Sequence, residues 1–298
     1  MSFYKFCIDN NLPIKKDEIM KNHTSFKIGG KADYFVECTC AECLKTVLNA
    51  AQRFGVPYFI LGKGSNLLVS DKGIRGVVIS LSAFDEITVS GNEIVAGAGA
   101  TLARICTAAL ENSLTGLEFA YGIPGSVGGA LYMNAGAYGG EMSHVVSSAT
   151  VLSQNGDIKE VTASDMCLGY RTSIFKTNGD VILSVKFALK KGEKQEIKAK
   201  MDDFMGRRKD KQPLEYPSAG STFKRPAGHF AGALIEQNNL KGVTVGGAMV
   251  SEKHAGFVIN YNNATAADVK ALMHKIKATV LEKNGVTLEP EVIFVGEE

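Results

Sequence analysis

Between residues 41 and 53 the apolar side chains Leu44, Val47, Leu48 and Ala51 recur at helical spacing, and the run stops at Gly55. That pattern predicts an amphipathic helix over 41–53. The period then shortens. YFIL at 58–61, LLV just after the turn-rich GKGSN of 62–66, and VVISL at 77–81 are brief apolar runs, so a small α/β unit with a glycine-rich turn at a strand end is expected. From about Glu86 an alternation of apolar and polar positions takes over. ITVSGNEIVAGAG predicts a hairpin turning at Gly91-Asn92, and VVSSATVLSQNGDIKEVTA a second turning at Asn155-Gly156, a dipeptide suited to a type I′ turn. DVILSVKFAL (180–189) alternates as a further strand, and Leu102–Glu111 has helical spacing. An antiparallel sheet with helices packed on it accounts for this stretch.

After KKGE the chain is charged and helical over 193–211, then AGSTFKRP (219–226) precedes a short helix at 230–237. Thr265 and Asp268 have the spacing of a capping box before a helix that carries Val269, Leu272, Ile276 and Val280 on one face and ends by Gly285. EVIFV (291–295) closes the chain as a strand. The fold class expected is α+β, in three successive units: 1–85, 86–195 and 196–298.

Composition narrows the function classes. The 298 residues are 45% hydrophobic and 21% charged, with a net charge of +2, as in an ordinary globular protein. No run approaches the ~20 apolar residues of a membrane span, and MSFYKFCIDNN lacks the apolar stretch of a signal peptide. The one basic cluster, Arg207-Arg208-Lys209, meets Asp210 at once and reads as a solvated helix end, so nucleic acid is not an expected partner. Cys38, Cys40 and Cys43 form C-x-C-x2-C while Cys7, Cys106 and Cys167 are scattered. Three thiols fall short of the usual four ligands of a zinc or iron–sulfur site, so no metal is expected. Reduced structural thiols fit the cytoplasm as the expected compartment.

The candidate chemistry lies in glycine. YGIPGSVGGALYMNAGAYGGE (121–141) holds seven glycines and one charged residue, Glu141. Glycine loses the most backbone freedom on folding, so such a run implies positive φ angles or close approach by a ligand. A Walker A loop is absent, because neither Gly30-Lys31 nor Gly62-Lys63 has the upstream glycine or the following hydroxyl residue. The G-x-G-x-x-G pattern fails too, since Gly62-x-Gly64 runs into Asn66-Leu67. Yet GKGSN and GIPGSVGG each combine glycine with serine at a strand end or helix start, with Gly128-Gly129 opening a short helix at 130–134. Main-chain N–H groups there suit a diphosphate without any lysine. The residues alone point to a dinucleotide and do not say which.

GKGSN, GIPGSVGGALYMNAGAYGGE, YRTSIF (170–175), AGSTFKRP and LEPEVIFVG occur in that order, and together they resemble the UDP-N-acetylenolpyruvoylglucosamine reductase (MurB) family from about Thr24 to Gly296. The resemblance implies an FAD-binding domain of the vanillyl-alcohol-oxidase (PCMH) type in two α/β subdomains, 1–85 and 86–195, followed by a C-terminal α+β substrate-binding domain, 196–298. By resemblance, FAD is held non-covalently by Gly62, Lys63, Gly64, Ser65 and Asn66 of the first loop and by Gly122, Ile123, Pro124, Gly125, Ser126, Gly128 and Gly129 of the second. Asn134, Gly136, Ala137 and Tyr138 complete the implied cofactor set. The short distance from AGSTFKRP to EVIFVG leaves little room for the tyrosine loop of type I members, so the chain resembles type II. Arg225 stands where type I members carry asparagine, and CTCAEC is not a motif of the family.

The implied reaction reduces the enolpyruvyl ether of UDP-N-acetylglucosamine to UDP-N-acetylmuramate, with NADPH as hydride donor. Ser221 would protonate C2. Arg171 would grip the carboxylate with a planar fork that lysine lacks, and Glu291, raised in pKa by burial, would assist as a protonated group. Lys224 and Arg225 are candidates for the UDP phosphates or for solvated surface. The resemblance further implies a monomer. Two other readings stand beside it: another FAD-dependent oxidoreductase of the same fold, and a nucleotide-binding module without catalysis.

Overall fold

The computed structural model describes residues 1–297. The chain divides into two compact units, each discontinuous in sequence: Met1–Ile14, Phe35–Lys63 and Val77–Arg208 form unit 1, while Lys15–Tyr34, Gly64–Gly76 and the chain from Lys209 onward form unit 2.

Unit 1 opens with helix α1 (Phe3–Asp9), capped by the Ser2 hydroxyl, and contains α2 (Ala41–Arg53), which buries Leu44, Val47, Ala50 and Ala51. Tyr58–Leu61 runs parallel to residues 77–80, Tyr58 opposite Val77 and Leu61 opposite Ser80. The larger layer is a five-stranded antiparallel sheet in the order Ile158–Thr162, Val146–Leu152, Val181–Ala188, Glu93–Gly97, Ile87–Ser90. Both expected hairpins are there, and Gly91 (φ 59°) and Gly156 (φ 82°) supply the positive φ their turns require. Helices α3 (Leu102–Glu111) and α4 (Val127–Tyr132) contact this sheet, and α5 (Lys194–Lys211) follows it.

Unit 2 packs α6 (Ala231–Gln237) and α7 (Ala266–Asn284) with a three-stranded antiparallel sheet, Thr244–Val245, Ala248–Val250 and Val258–Asn260. The capping box forms as the spacing predicts: Thr265 Oγ1 accepts from Asp268 N at 3.1 Å, and Asp268 Oδ2 accepts from Thr265 N at 2.9 Å. Asp71 takes the next two orphan amides, from Ala266 and Ala267.

Three successive segments were expected, and the structure groups the chain otherwise. Phe26, Ile28 and Leu68 are buried in one core with Val269, Leu272, Ile276 and Val280 of α7, each such side chain contributing about 1.5–3 kcal/mol on burial. That shared core draws residues 15–34 and 64–76 to the C-terminal unit. Two smaller differences have local causes. Helix α4 starts at Val127, not at 130, because Ser126 caps it by accepting from Gly129 N. The last strand is Ile293–Val295, because the preceding residues bond to a different segment. No helix among the described residues is long and apolar enough to cross a membrane.

Candidate active site

In unit 1 the two glycine loops meet. A Cβ placed on Gly62 would sit 2.5 Å from Ser126 Oγ, and one on Gly128 would lie 2.8 Å from Ala98 Cβ. These glycines permit close approach between parts of the chain. The helix start is already satisfied: Val127 N donates to Ala100 O, Gly128 N to Ala98 O, Ala130 N to Ser126 O, and Gly129 N to Ser126 Oγ. Among the described residues, no acceptor takes the amides of Lys63 in the first loop or Gly122 and Gly125 in the second. The donors left for a ligand therefore belong to the loops and not to the six-residue α4.

The basic cluster at 207–209 is not the solvated helix end that was expected. Arg207 is, pairing with Asp203 at 2.8 Å. Arg208 folds inward, its Cδ 3.0 Å and Nε 3.9 Å from a Cβ built on Gly122, and burial lowers its pKa while nearby Tyr138 opposes that shift. Among the described residues Arg208 has no hydrogen-bond or ion-pair partner. Tyr138 stacks on Phe204, one turn before Arg208 on α5, with centroids 4.6 Å apart and planes 5° from parallel. Gly136 and Ala137 form one arm of a tight hairpin with Gly140 and Glu141.

Asn134 leads from this segment to YRTSIF. It is 1% exposed, its Nδ2 donates to Gly169 O at 3.1 Å, and its Oδ1 accepts from Ser143 N at 2.9 Å. The turn it braces, with Gly169 and Thr172 bridged to one another, presents Arg171 in the left-handed region at φ 56°. A side chain there is uncommon outside Asn, Asp and Gly, so the surroundings must hold it. They do: Lys176 Nζ donates to Arg171 O at 2.7 Å, Ser173 Oγ donates to Tyr132 O at 2.7 Å, and the guanidinium lies 5.2 Å from the Tyr170 ring centre. Ser143 and Asn134 hold the Glu141 carboxyl below its ordinary pKa, and Arg171 adds to that.

In unit 2, backbone pairing brings Ser221 and Glu291 together. Glu291 N donates to Thr222 O at 2.9 Å, Lys224 N donates to Glu289 O at 2.8 Å, and Phe223 bridges Pro290. Ser221, exposed beside Gly220 at φ 76°, immediately precedes this ladder. Thr222, 5% exposed, ties the ladder to a third strand: its amide donates to Gly256 O, and its Oγ1 accepts from Val258 N at 2.9 Å. Asn66 clamps the far side, its Nδ2 donating to Glu291 O at 3.1 Å and its carbonyl accepting from Ile293 N at 2.9 Å. Gly64 carries φ 61° and packs on the His23 carbonyl, and its own carbonyl accepts from Ser25 N. Lys224 pairs with Glu289 at 3.1 Å, and the Arg225 guanidinium lies 4.0 Å from the Phe230 ring centre.

Residues 212–295 match the family model for the C-terminal domain of UDP-N-acetylenolpyruvoylglucosamine reductase, and residues 32–162 match the FAD binding domain. A UDP-N-acetylenolpyruvoylglucosamine reductase of Clostridium novyi (strain NT) is 54% identical over 285 residues, covering 96% of this chain and 93% of that protein. The chain belongs to the UDP-N-acetylenolpyruvoylglucosamine reductase family. The crystal structure of this reductase (MurB) from Thermus caldophilus superposes with a TM-score of 0.83 at 34% identity, covering 95% of this chain and 99% of that one. A berberine bridge enzyme variant, at TM-score 0.51 and 14% identity over 65% of this chain and 44% of that one, is similar in fold alone. The α+β fold with an FAD-binding domain, expected from the resemblance to the reductase family, is thus established.

Of the expected site residues, the structure groups Gly62 with Ser126, Gly122 with Tyr138 through Arg208, and Asn134 with the Arg171 turn in unit 1; it groups Asn66, Ser221 and Glu291 in unit 2. Arg208, Thr222, Ser173 and Lys176 were missed. Thr222 and Ser173 lie inside the motifs and Lys176 follows one, while the signal at Arg208 was the basic cluster; none of these distinguishes a supporting residue from a solvated one.

Proposed function

We propose that the chain reduces the enolpyruvyl ether of UDP-N-acetylglucosamine to UDP-N-acetylmuramate, a step in peptidoglycan precursor synthesis, with NADPH as the hydride donor and non-covalent FAD between them. The observation that carries the reading is the ladder in which Glu291 N bonds to Thr222 O, next to Ser221. A turn serine and a carboxylate far along the chain have no structural need to share such a register, whereas an enolate is served by a positioned hydroxyl donor with a second polar group near it.

The free amides of Lys63, Gly122 and Gly125 and the unpaired Arg208 fit the diphosphate of FAD. Bound FAD would supply hydride to the terminal methylene carbon of the substrate. Negative charge then develops on the enol ether carbon and its carboxylate, and preorganised groups must meet it. Arg171 meets the carboxylate with two parallel N–H donors. Ser221 O–H gives its proton to C2, where positioning makes up for the weak acidity of a hydroxyl, and Glu291, holding a proton, supports the same anion. Asn134 and Asn66 are positioning residues for Arg171 and Glu291. Lys224 and Arg225 are assigned to the nucleotide phosphates. Segment 86–195 keeps its implied FAD role and 196–298 its substrate role, while 1–85 is divided between the two units. A monomer in the cytoplasm suits a small-molecule substrate and a chain with no membrane-spanning helix among its described residues.

The test is an anaerobic titration. Yellow protein should bleach with NADPH and regain its colour on addition of enolpyruvyl-UDP-N-acetylglucosamine alone. Protein that stays colourless with added FAD favours the non-catalytic module, and bleached protein that ignores the substrate favours another oxidoreductase. Arg208→Met should raise the dissociation constant for FAD about tenfold or more and flatten its salt dependence, both measured by flavin fluorescence; unchanged values would remove Arg208 from the FAD site.

A further inference from the structure

CTCAEC (38–43) is absorbed by neither the FAD site nor the reductase chemistry. In the structure it ends on Cys40-Ala41-Glu42-Cys43, a C-x-x-C sequence placed at the N-terminus of the 13-residue α2. Cys40 is the N-cap residue, extended at φ −154° and ψ 164°, and its Sγ accepts from Cys43 N at 3.4 Å. Cys40 is exposed and Cys43 half-buried behind it. A third thiol lies against the second: Cys38, fully buried, makes a side-chain hydrogen bond with Cys43 and neighbours Cys7 of α1. Burial pushes the Cys7 thiol up to about 11 and raises Cys38 further, with Cys43 adding to both. These two therefore remain protonated. Among the described residues no group of His, Cys, Asp or Glu has an arrangement that would hold a metal ion.

We propose that Cys40 and Cys43 form a thiol–disulfide exchange site, with exposed Cys40 as the attacking sulfur, half-buried Cys43 as the resolving one, and the disulfide of a low-molecular-weight thiol as the oxidant. At the helix N-cap the Cys40 sulfur accepts the Cys43 main-chain N–H and faces solvent, so it is the sulfur an incoming disulfide reaches first. The Cys40 thiolate attacks one sulfur of R–S–S–R. That S–S bond breaks, Cys40–S–S–R forms, and RS⁻ leaves. Cys43, as thiolate, then attacks Cys40 Sγ; the Cys40–S–S–R bond breaks and a second RS⁻ departs. The net change is two protein thiols oxidised, one small disulfide reduced to two thiols, and two protons passed to the departing sulfurs. The side-chain hydrogen bond between buried Cys38 and Cys43 holds the resolving sulfur in place.

Cys167 is the internal control, exposed like Cys40 but on a left-handed residue at the C-terminal end of a short 3-10 turn, where its Sγ donates to Asp165 O. The FAD-loaded full chain is incubated with oxidised glutathione and followed by intact mass and peptide mapping. In the expected product the peptide bearing Cys40 and Cys43 is two hydrogens lighter and internally bonded, while Cys167 retains glutathione as a mixed disulfide. Cys43→Ser should trap glutathione on Cys40, and Cys40→Ser should abolish the internal bond. Iodoacetamide should label Cys40 at least about tenfold faster than Cys167 at neutral pH. A bond mapped to Cys38–Cys43, a stable mixed disulfide on Cys40 of the unsubstituted chain, or equal labelling of Cys40 and Cys167 would each overturn the proposal. Because the readout is sulfur chemistry, the outcome does not depend on the reductase reading.

Discussion

The two units hold the side chains proposed for the reaction by opposite means. In unit 1, Arg171 rides on a left-handed residue secured by side chains: Asn134 to Gly169 O, Ser173 to Tyr132 O, Lys176 to the Arg171 carbonyl. In unit 2, Ser221 and Glu291 are set by a backbone ladder, residues 222 and 224 against 289 and 291, and residue 222 against 256. A side-chain tether fails when one residue changes. A backbone ladder survives most substitutions, because its donors and acceptors belong to every residue type. The Arg171 turn of unit 1 should therefore be sensitive to loss of its supports and the Ser221–Glu291 ladder of unit 2 tolerant, with sensitivity in unit 2 confined to groups proposed to take part in the chemistry.

The largest effect tests that last clause. Ser221→Ala removes a hydroxyl that caps nothing in the ladder, so fold, FAD content and flavin bleaching by NADPH should be unchanged. Reoxidation by the enolpyruvyl substrate should slow by about 10²–10⁴-fold. Stopped-flow absorbance separates the two half-reactions, and reoxidation at the original rate would take the proton donor away from Ser221. Next comes a matched pair of asparagines. Asn134→Ala takes the acceptor from the Ser143 amide and one of two donors from the Gly169 carbonyl, which keeps Thr172 N, about 1 kcal/mol each, and should lower turnover about 10–100-fold by releasing Arg171. Asn66→Ala removes one hydrogen bond, worth about 1 kcal/mol, while Glu291 N still bonds to Thr222 O; turnover should fall only a few-fold. Steady-state rates and urea midpoints of the two variants decide the point, and equal losses would erase the contrast between tether and ladder.

The same contrast explains what the sequence disclosed. Helices α2, α3 and α7, both hairpins and the Thr265–Asp268 box are local, and their periodicity or spacing carries them. The motifs bearing Arg171, Ser221 and Glu291 were legible by resemblance. Their support was not, since Gly169, Gly256 and Glu291 lie 35, 34 and 225 positions from the residues that bind them, namely Asn134, Thr222 and Asn66. Arg208 misled for a related reason: three basic residues on a charged helix read as solvated, and only the fold reveals that one of them turns onto Gly122. The three-segment division met the same limit, because Phe26 and Leu68 join a core most of whose members lie between Ala219 and Val292.

The smallest effect tests the ladder through a proton. His254 sits beside it, its Nδ1 accepting from Gly256 N at 3.1 Å, and Gly256 O in turn accepts from Thr222 N. Accepting that bond requires an unprotonated Nδ1. Burial lowers the His254 pKa below its ordinary 6.5, Lys241 adds to the shift, and its own backbone hydrogen bond and Glu236 oppose it. For a histidine depressed in the fold, the unfolded chain binds the proton first. The stabilisation is therefore complete above 6.5 and is lost as pH falls from there through the lower folded value. Protection factors for the Gly256 and Thr222 amides, which remove the intrinsic pH dependence of exchange, should drop across that window and stay level above it. His254→Gln keeps an acceptor without the titration and should flatten the profile. Should Gly256 lose protection equally in both proteins, the proton acts elsewhere. Should Gly256 loosen while Glu291 N keeps its protection, the 222–291 rungs hold without their outer neighbour, and the robustness of unit 2 resides in that pair of strands alone.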